Sequence, residues 1–327
     1  MVDHAPRRSI CTNVTARPRC HDNLGPASAN SSCRGRNRAP RSGVAYVVRV
    51  LALAIVACSS ASSTPLPSAR ATPDPPAAAG AHAPARLGDP HNAGHLVTAR
   101  AIASVDGGAA SERPAYARLD QHVTLYALVQ VEDAGRRTWY SDAPAVTLGG
   151  RALHVSPLAR APELAITWNR IEPAAAAYSN TDENGGNFHF TQIDYVATEI
   201  AGAANRAAIA ADVRPTLTED HGHGVGTMRY QIVVAQGDHT VASAGGEARR
   251  GRGSGGLTDD VMRVSIRRDD SYLGYLTEMF GQPYIWASAG ITDATHQAER
   301  LEGADCADFV VYGMRRLGKK IGYTWTG

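Results

Sequence analysis

Cysteine is scarce, and its placement is uneven. The 327-residue chain holds five. Cys11, Cys20, Cys33 and Cys58 fall in the first 58 positions, so Cys306 stands alone in everything that follows. That distribution excludes a disulfide framework for the main body. No apolar run reaches the roughly 20 residues that a membrane-crossing helix needs. No histidine follows Cys306. No internal repeat is evident, and the early cysteine spacings match no zinc pattern. Gly107-Gly108 and Gly149-Gly150 lack the strand-to-helix setting of a phosphate loop. A large charge of one sign is missing as well. The net charge is +2. Residues 1–41 take eight of the 33 basic residues and only Asp3 and Asp22 of the 31 acidic ones, which leaves 25 basic against 29 acidic. A slightly acidic body excludes an electrostatic case for nucleic-acid binding.

What is present falls into segments. Residues 1–40 mix Arg, Pro, Asn and Ser without an apolar period and read as a disordered leader, not necessarily native; translation is expected to begin near Val44 or Val47. Residues 41–58 read as a secretory signal. Arg49 precedes the apolar run Val50-Leu51-Ala52-Leu53-Ala54-Ile55-Val56-Ala57, which suits a signal core. Ile55-Val56-Ala57-Cys58 resembles the bacterial lipoprotein cleavage box, which implies Cys58 as the lipidated residue and a membrane attachment through an acyl anchor. Residues 59–95 form a Pro/Ala/Ser linker. The expected location is therefore export, lipid-anchored in a bacterial envelope.

Residues 96–268 read as mostly β and sandwich-like. The strongest strand is 123–131, rich in β-branched and aromatic residues, followed by the turn Asp133-Ala134-Gly135-Arg136 and a return at 138–140. Further strands are expected at 165–168, 188–195, 228–234 and 261–266. The alanines of 198–211 permit one helix on propensity alone. His221-Gly222-His223 offers two metal nitrogens without an evident third ligand, and a solvated loop explains it as well. Arg249, Arg250 and Arg252 sit in a Gly-rich loop that suits either anionic polymers or a flexible hairpin. Trp139, Trp168 and Tyr178 fit sugar stacking or plain core packing.

Cys306 opens a predicted amphipathic helix. Asp305 suits the N-cap, Asp308 puts a carboxylate in the first turn, and Gly318 suits the C-terminal cap. Val310, Met314 and Leu317 mark an apolar stripe, widened by Phe309 and Gly313. Unpaired N–H groups and the helix dipole at such a start favour thiolate, the form that attacks acyl carbons. A small buried hydrophobe is the other reading of the same cysteine. Asp308 turned towards the sulfur would oppose ionisation.

Gly281-Gln282-Pro283-Tyr284-Ile285-Trp286 followed by Asp305-Cys306 resembles the NlpC family of papain-like cysteine peptidases, which cleave peptide bonds in bacterial peptidoglycan. The likeness covers about residues 270–320. It implies a partial papain-like module over 269–327, which after the mostly-β middle domain read from the strand pattern makes the expected fold α+β. It implies Cys306 as catalytic nucleophile and Tyr284, Trp286 and Asp305 at the substrate site, with peptidoglycan stem peptides as partners and no metal or cofactor. Three departures stand out. Ala287-Ser288 replace the two glycines that usually follow the tryptophan, Ala307-Asp308 replace the usual Ser-Gly, and 289–303 is a long polar insertion. The family's base histidine comes after the cysteine helix. The expectation is therefore a C-terminally truncated module of impaired activity, or an upstream base among His122, His154, His189, His221, His223, His239 and His296. The alternative is a non-catalytic, envelope-anchored binding or structural lipoprotein carrying a relic peptidase segment. A papain-like transferase is a third reading.

Overall fold

The computed structural model describes residues 86–180, 190–251 and 255–323. The leader, the signal segment with Cys58, most of the linker, His189 and Arg252 lie outside the described residues. In chain order the strands are β1 (His95–Val105), β2 (Ala110–Ser111), β3 (Ala115–Arg118), β4 (Val123–Asp133), β5 (Arg136–Tyr140), β6 (Val146–Leu148), β7 (Arg151–Leu153), β8 (Ala165–Pro173), β9 (Ala177–Ser179), β10 (Tyr195–Glu199), β11 (Ala208–Ala210), β12 (Gly226–Gln236), β13 (His239–Ala242) and β14 (Met262–Arg267). Helix α1 (Tyr272–Leu276), β15 (Tyr284–Trp286) and helix α2 (Cys306–Arg316) follow. The fold is α+β and mostly β, as the sequence leads one to expect.

Among the described residues, one sheet runs β11-β4-β1-β2-β6-β7 with β5 on β4, and a second runs β10-β8-β12-β14-β3 with β13 on β12. Period-2 alternation decides what each strand buries. Val123, Leu125, Ala127 and Val129 of β4 meet Ile166 and Trp168 of β8, and Tyr230, Ile232 and Val234 of β12, in one shared core. Leu128 faces the other way and joins Ile102, Ala110 and Val146 in a small outer cluster. The β4–β5 hairpin closes through Ala134 (φ 48°) and Gly135 (φ 79°), two left-handed residues in succession. That twist matches the strands it joins.

Two expectations fail. The 198–211 segment is not a helix: β10 ends at Glu199, and β11 runs Ala208–Ala210. The Trp168 indole N–H donates to Arg206 O at 2.9 Å. The Ile166 N–H donates to Asn205 Oδ1 at 2.8 Å, and the Asn205 N–H returns a bond to Ile166 O at 2.7 Å. Tertiary pairing to β8 outweighs alanine's helix propensity. Of the strand expected at 188–195, residues 190–194 form none, and β10 begins at Tyr195; 188 and 189 lie outside the described residues.

β14 is buried on both faces. Met262, Val264 and Ile266 enter the shared core. Arg263 and Ser265 point the opposite way, towards the C-terminal segment. Thr227 Oγ1 lies 2.7 Å from Ser265 Oγ and donates to Glu278 O at 2.7 Å. The Glu278 side chain, fully buried, is the main tie. It receives Arg316 through both nitrogens at 2.9 Å, the Tyr312 hydroxyl, and Arg267 of β14 at 3.7 Å. Arg316 is also sandwiched between the rings of Tyr116 and Tyr275 at 4.9 and 5.0 Å. A bidentate, desolvated pair with extra donors is the geometry in which a buried ion pair holds.

This tie also explains a mis-assigned helix face. The buried residues of α2 are Asp308, Tyr312 and Gly313. Val310 and Met314 are only half-buried, and Leu317 is exposed. The predicted stripe therefore faces the protein only through Phe309 and Gly313, because the Glu278 anchor turns α2 by its Tyr312–Arg316 side. The caps are as expected. Asp305 Oδ1 accepts from the Ala307 and Asp308 N–H groups, both at 2.9 Å. At the other end Gly318 (φ 79°) closes a Schellman turn, with Lys319 N–H to Met314 O at 3.1 Å and Gly318 N–H to Arg315 O at 2.8 Å. Replacing Glu278 with Gln leaves the half-buried Arg316 without its counter-charge; urea unfolding is expected to show a loss of about 2 kcal/mol, whereas Leu317→Ala at an exposed position changes stability by under about 0.5 kcal/mol.

Candidate active site

β15 is built from a three-residue alternation. Ile285 is sealed in the interior, while Tyr284 and Trp286 are 42% and 63% exposed. On one side β15 pairs in parallel with β9, Tyr284 opposite Ala177 and Trp286 opposite Ser179. On the other side it meets the strand-like lead into α2. The Ile285 N–H donates to Ala304 O at 3.1 Å, and the Ala304 N–H to Pro283 O at 3.4 Å, which sets Ala304 opposite Tyr284. Asp305 then continues extended (φ −83°, ψ −177°) before the helix begins. Cys306 emerges exposed at its first position, on the edge where the two aromatic residues open to solvent. Tyr284 and Trp286 thus stand on a strand bridged at Ala304 to the segment that leads through Asp305 into Cys306.

The turn after β15 carries the departures from the family pattern. Ala287 adopts φ 54°, a left-handed conformation that suits glycine. It is held there by Asn180, whose Nδ2 donates to Ala287 O at 3.1 Å and to Gln297 Oε1 at 2.7 Å. Asn180 directly follows β9, and its own N–H donates to Trp286 O at 3.0 Å. Ser288 is buried, and its Oγ accepts the Asp305 N–H at 2.9 Å while donating to Asp308 Oδ2. Neither Asn180 nor Ser288 was legible as a site residue; the only signal was the unusual pair Ala287-Ser288.

The polar insertion is not a solvated loop. His296, Gln297, Ala298, Leu301 and Glu302 are all buried. Leu301 sits at φ 52°, its carbonyl taking a 2.6 Å bond from buried Arg229. His296 is the histidine the fold brings to α2. Its Nε2 lies 3.4 Å from Asp308 Oδ2, and its ring stacks on Tyr323 with centroids 3.8 Å apart. Burial pushes the imidazole down to about 4, against the pull of Asp293 and the Ser288 backbone. Burial likewise pushes the Asp308 carboxyl up to about 7, opposed by the Ser288 hydroxyl. A carboxylate and an imidazolium in contact would ordinarily favour each other's charged forms; here desolvation wins for both.

Helix geometry decides the consequence. Residues two apart on an α-helix lie about 200° apart around the axis. Asp308 with its histidine therefore occupies the inner face of α2, and Cys306 the outer one. The order Ser288–Asp308–His296 is not a nucleophile–base–acid chain either, because the carboxyl stands in the middle.

The other nominated residues are used elsewhere. His239 Nε2 contacts Leu96 O at 3.1 Å, and His221 Nδ1 contacts Pro215 O at 3.3 Å. His223 meets Asp220 at 3.5 Å. Among the described residues no group of three or more His, Cys, Asp or Glu side chains could hold a metal. Arg249 and Arg250 turn inward, Arg249 to Ile193 O and Arg250 to Glu302 at 3.0 Å and Asp259 at 2.5 Å, so neither is held out towards an anionic polymer. Trp168 is core. A depression of about 590 Å³ lies at the far end of α2, between Asp293, Glu299, Arg315 and Lys320, away from the thiol.

No protein-family model, curated protein or solved structure matches the chain. The site is therefore argued on its geometry. Relief of the left-handed strain is expected to make Ala287→Gly about 0.5 kcal/mol more stable, the difference between the left-handed penalty of an L-residue and the entropy glycine loses. A thermal melt of the two proteins reads this directly.

Proposed function

We propose that the protein is an exported, lipid-anchored envelope protein whose Cys306 face is a cell-wall peptide site of the NlpC type. The observation that supports the reading is the bridge of Tyr284 with Ala304, two residues before an exposed cysteine at the start of a capped helix. In the acyl transfer, the Cys306 thiolate attacks a stem-peptide carbonyl carbon. A C–S bond forms, the C–N bond breaks, and the leaving amine takes a proton; water then releases the acyl group and restores the thiol. Tyr284 and Trp286 flank the peptide, and Asp305 orients the helix start that favours the thiolate.

A specific observation favours slow turnover. His296 is held on the Asp308 side of α2, about half a turn of the helix from the thiol. A histidine turned away from the nucleophile contributes none of the acid–base assistance that is worth about 10²- to 10⁴-fold in such a reaction. The same observation supports the second reading, a binding protein that grips stem peptides without cleaving them.

Muropeptides incubated with the full chain and followed by mass spectrometry are expected to show slow release of new amino termini that disappears in Cys306→Ala. Undiminished release in Cys306→Ala overturns the thiol mechanism. Retained muropeptide binding with no release in either protein selects the binding reading. For the anchor, expression in a bacterial host with labelled fatty acid is expected to label the parent and not Cys58→Ser; equal labelling of both, or of neither, removes that part of the proposal.

A further inference from the structure

The C-terminal segment is held to the second sheet by arginines that outnumber their carboxylates. Arg229 of β12 and Arg263 of β14 are direct register partners, so their side chains share one face of the sheet. Both are buried. Like charges opposite one another on a sheet are destabilising, and burial adds to the cost. Neither guanidinium is relieved by a carboxylate. Arg229 donates to Gln282 Oε1 at 2.9 Å and to Leu301 O at 2.6 Å. Arg263 donates to Arg300 O through Nη1, and to the Tyr116 hydroxyl at 2.8 Å through Nη2. Its Nε is buried without a partner. Arginine keeps its charge in such surroundings, because a guanidinium is not deprotonated in proteins.

Two more arginines complete the row. Arg250 reaches Glu302 Oε1 at 3.0 Å and Asp259 at 2.5 Å. Residues 300, 301 and 302 are thus gripped in turn by Arg263, Arg229 and Arg250. Arg300 itself is half-buried, and among the described residues its guanidinium makes no hydrogen bond and no ion pair. Burial and the neighbouring Arg250 lower its affinity for a proton, Arg263 adds to this, and Glu302 and Asp259 act the other way. Four guanidinium groups therefore meet two carboxylates. Asp259 is 71% exposed, so water screens its charge.

We propose that the Arg263–Arg300 end of this row binds a small oxyanion of the phosphate class. An oxyanion supplies what the seam lacks: a negative charge beside adjacent guanidinium groups, and acceptors for the unused Arg263 Nε–H and the Arg300 fork. Arg229 and Arg263 lie under the C-terminal segment, so the ion is small, and half-buried Arg300 is its point of entry. The bound ion ties β14 to the segment that runs from Arg300 to Cys306. The site is separate from the thiol face and does not depend on the chemistry proposed there.

Urea unfolding of the full chain at neutral pH and fixed ionic strength, with phosphate exchanged for chloride, tests the site. A ligand that binds only the folded state lowers the unfolding constant by the factor 1 + [L]/Kd, so raising phosphate from about 0.1 to about 10 mM is expected to lower it about tenfold for a Kd of about 1 mM. Concentrations this low leave out the general stabilisation that phosphate gives by exclusion from protein surfaces. Arg300→Gln is expected to abolish the dependence. In phosphate-free buffer the same variant is expected to be no less stable than the parent, since it removes a like charge and breaks no contact. Buried Arg263 is left in place, so a failure to fold does not blur the result. Lys319→Gln with Lys320→Gln, a basic pair at the far end of α2, is expected to keep the parent's response. An unfolding constant indifferent to phosphate in the parent overturns the proposal, because a water on Nε then suffices. Equal dependence in Arg300→Gln, or loss of it in the lysine variant, also overturns the proposal. Glycerol phosphate at the same concentrations is expected to act more weakly, and equal action overturns the assignment to a free ion. None of these readouts involves muropeptide, so failure of the peptidase reading and failure of the anion site give different results.

Discussion

The carboxylate of Glu278 holds the C-terminal third of the described chain in place. It is fully buried, and a lone ionised carboxylate in such a position is strongly disfavoured. Arg316, Tyr312 and Arg267 make it tolerable by surrounding it with donors from α2 and β14. The converse also holds. Once Glu278 is placed by its own backbone, whose carbonyl takes the Thr227 hydroxyl, α2 has one rotation that satisfies it. That rotation buries Tyr312 and Gly313, leaves Val310 and Met314 half covered, and sends the first residue of the helix to the surface.

Further ties of the same kind run between the β region and the C-terminal segment. Arg229 reaches Gln282 and Leu301 O, Arg250 reaches Glu302, and Arg263 reaches Arg300 O. Burial lowers the affinity of Arg229 for its proton, yet its two hydrogen bonds go to neutral oxygens. Guanidinium groups suit this role because a planar fork can satisfy two carbonyls at once. The result is a long insertion held in a strained path, with Ala287 and Leu301 left-handed at its two ends. Backbone strain of this sort persists only where the surroundings over-determine it.

The site divides accordingly into an outer and an inner face. Outside, Cys306, Tyr284 and Trp286 form the proposed peptide-handling edge. Inside, Ser288, Asp308 and His296 form a desolvated polar chain that fixes the helix start. The outer set was readable from the chain, because turn motifs and helix starts are local patterns. The inner set was not. His296 looked like part of a solvated insertion, and Asp308 like a dipole-compensating carboxylate. Only packing by Tyr323 and the Ala289–Leu301 loop buries both, and burial moves the proton affinity of each away from its ordinary value. The 198–211 segment failed for a related reason: its alanines state a weak preference, and the hydrogen bonds that Trp168 and Ile166 of β8 make to Arg206 and Asn205 override it.

By itself the sequence determined the α+β, mostly-β class, the β4–β5 hairpin and the two caps of α2. Each depends on period-2 alternation, turn chemistry or capping, which act over a few residues. Tertiary structure alone decided which side of α2 is buried, where the histidine goes and which carboxyl is taken out of water. Those outcomes depend on desolvation, and desolvation is set by distant segments closing over a group rather than by the neighbours it has along the chain.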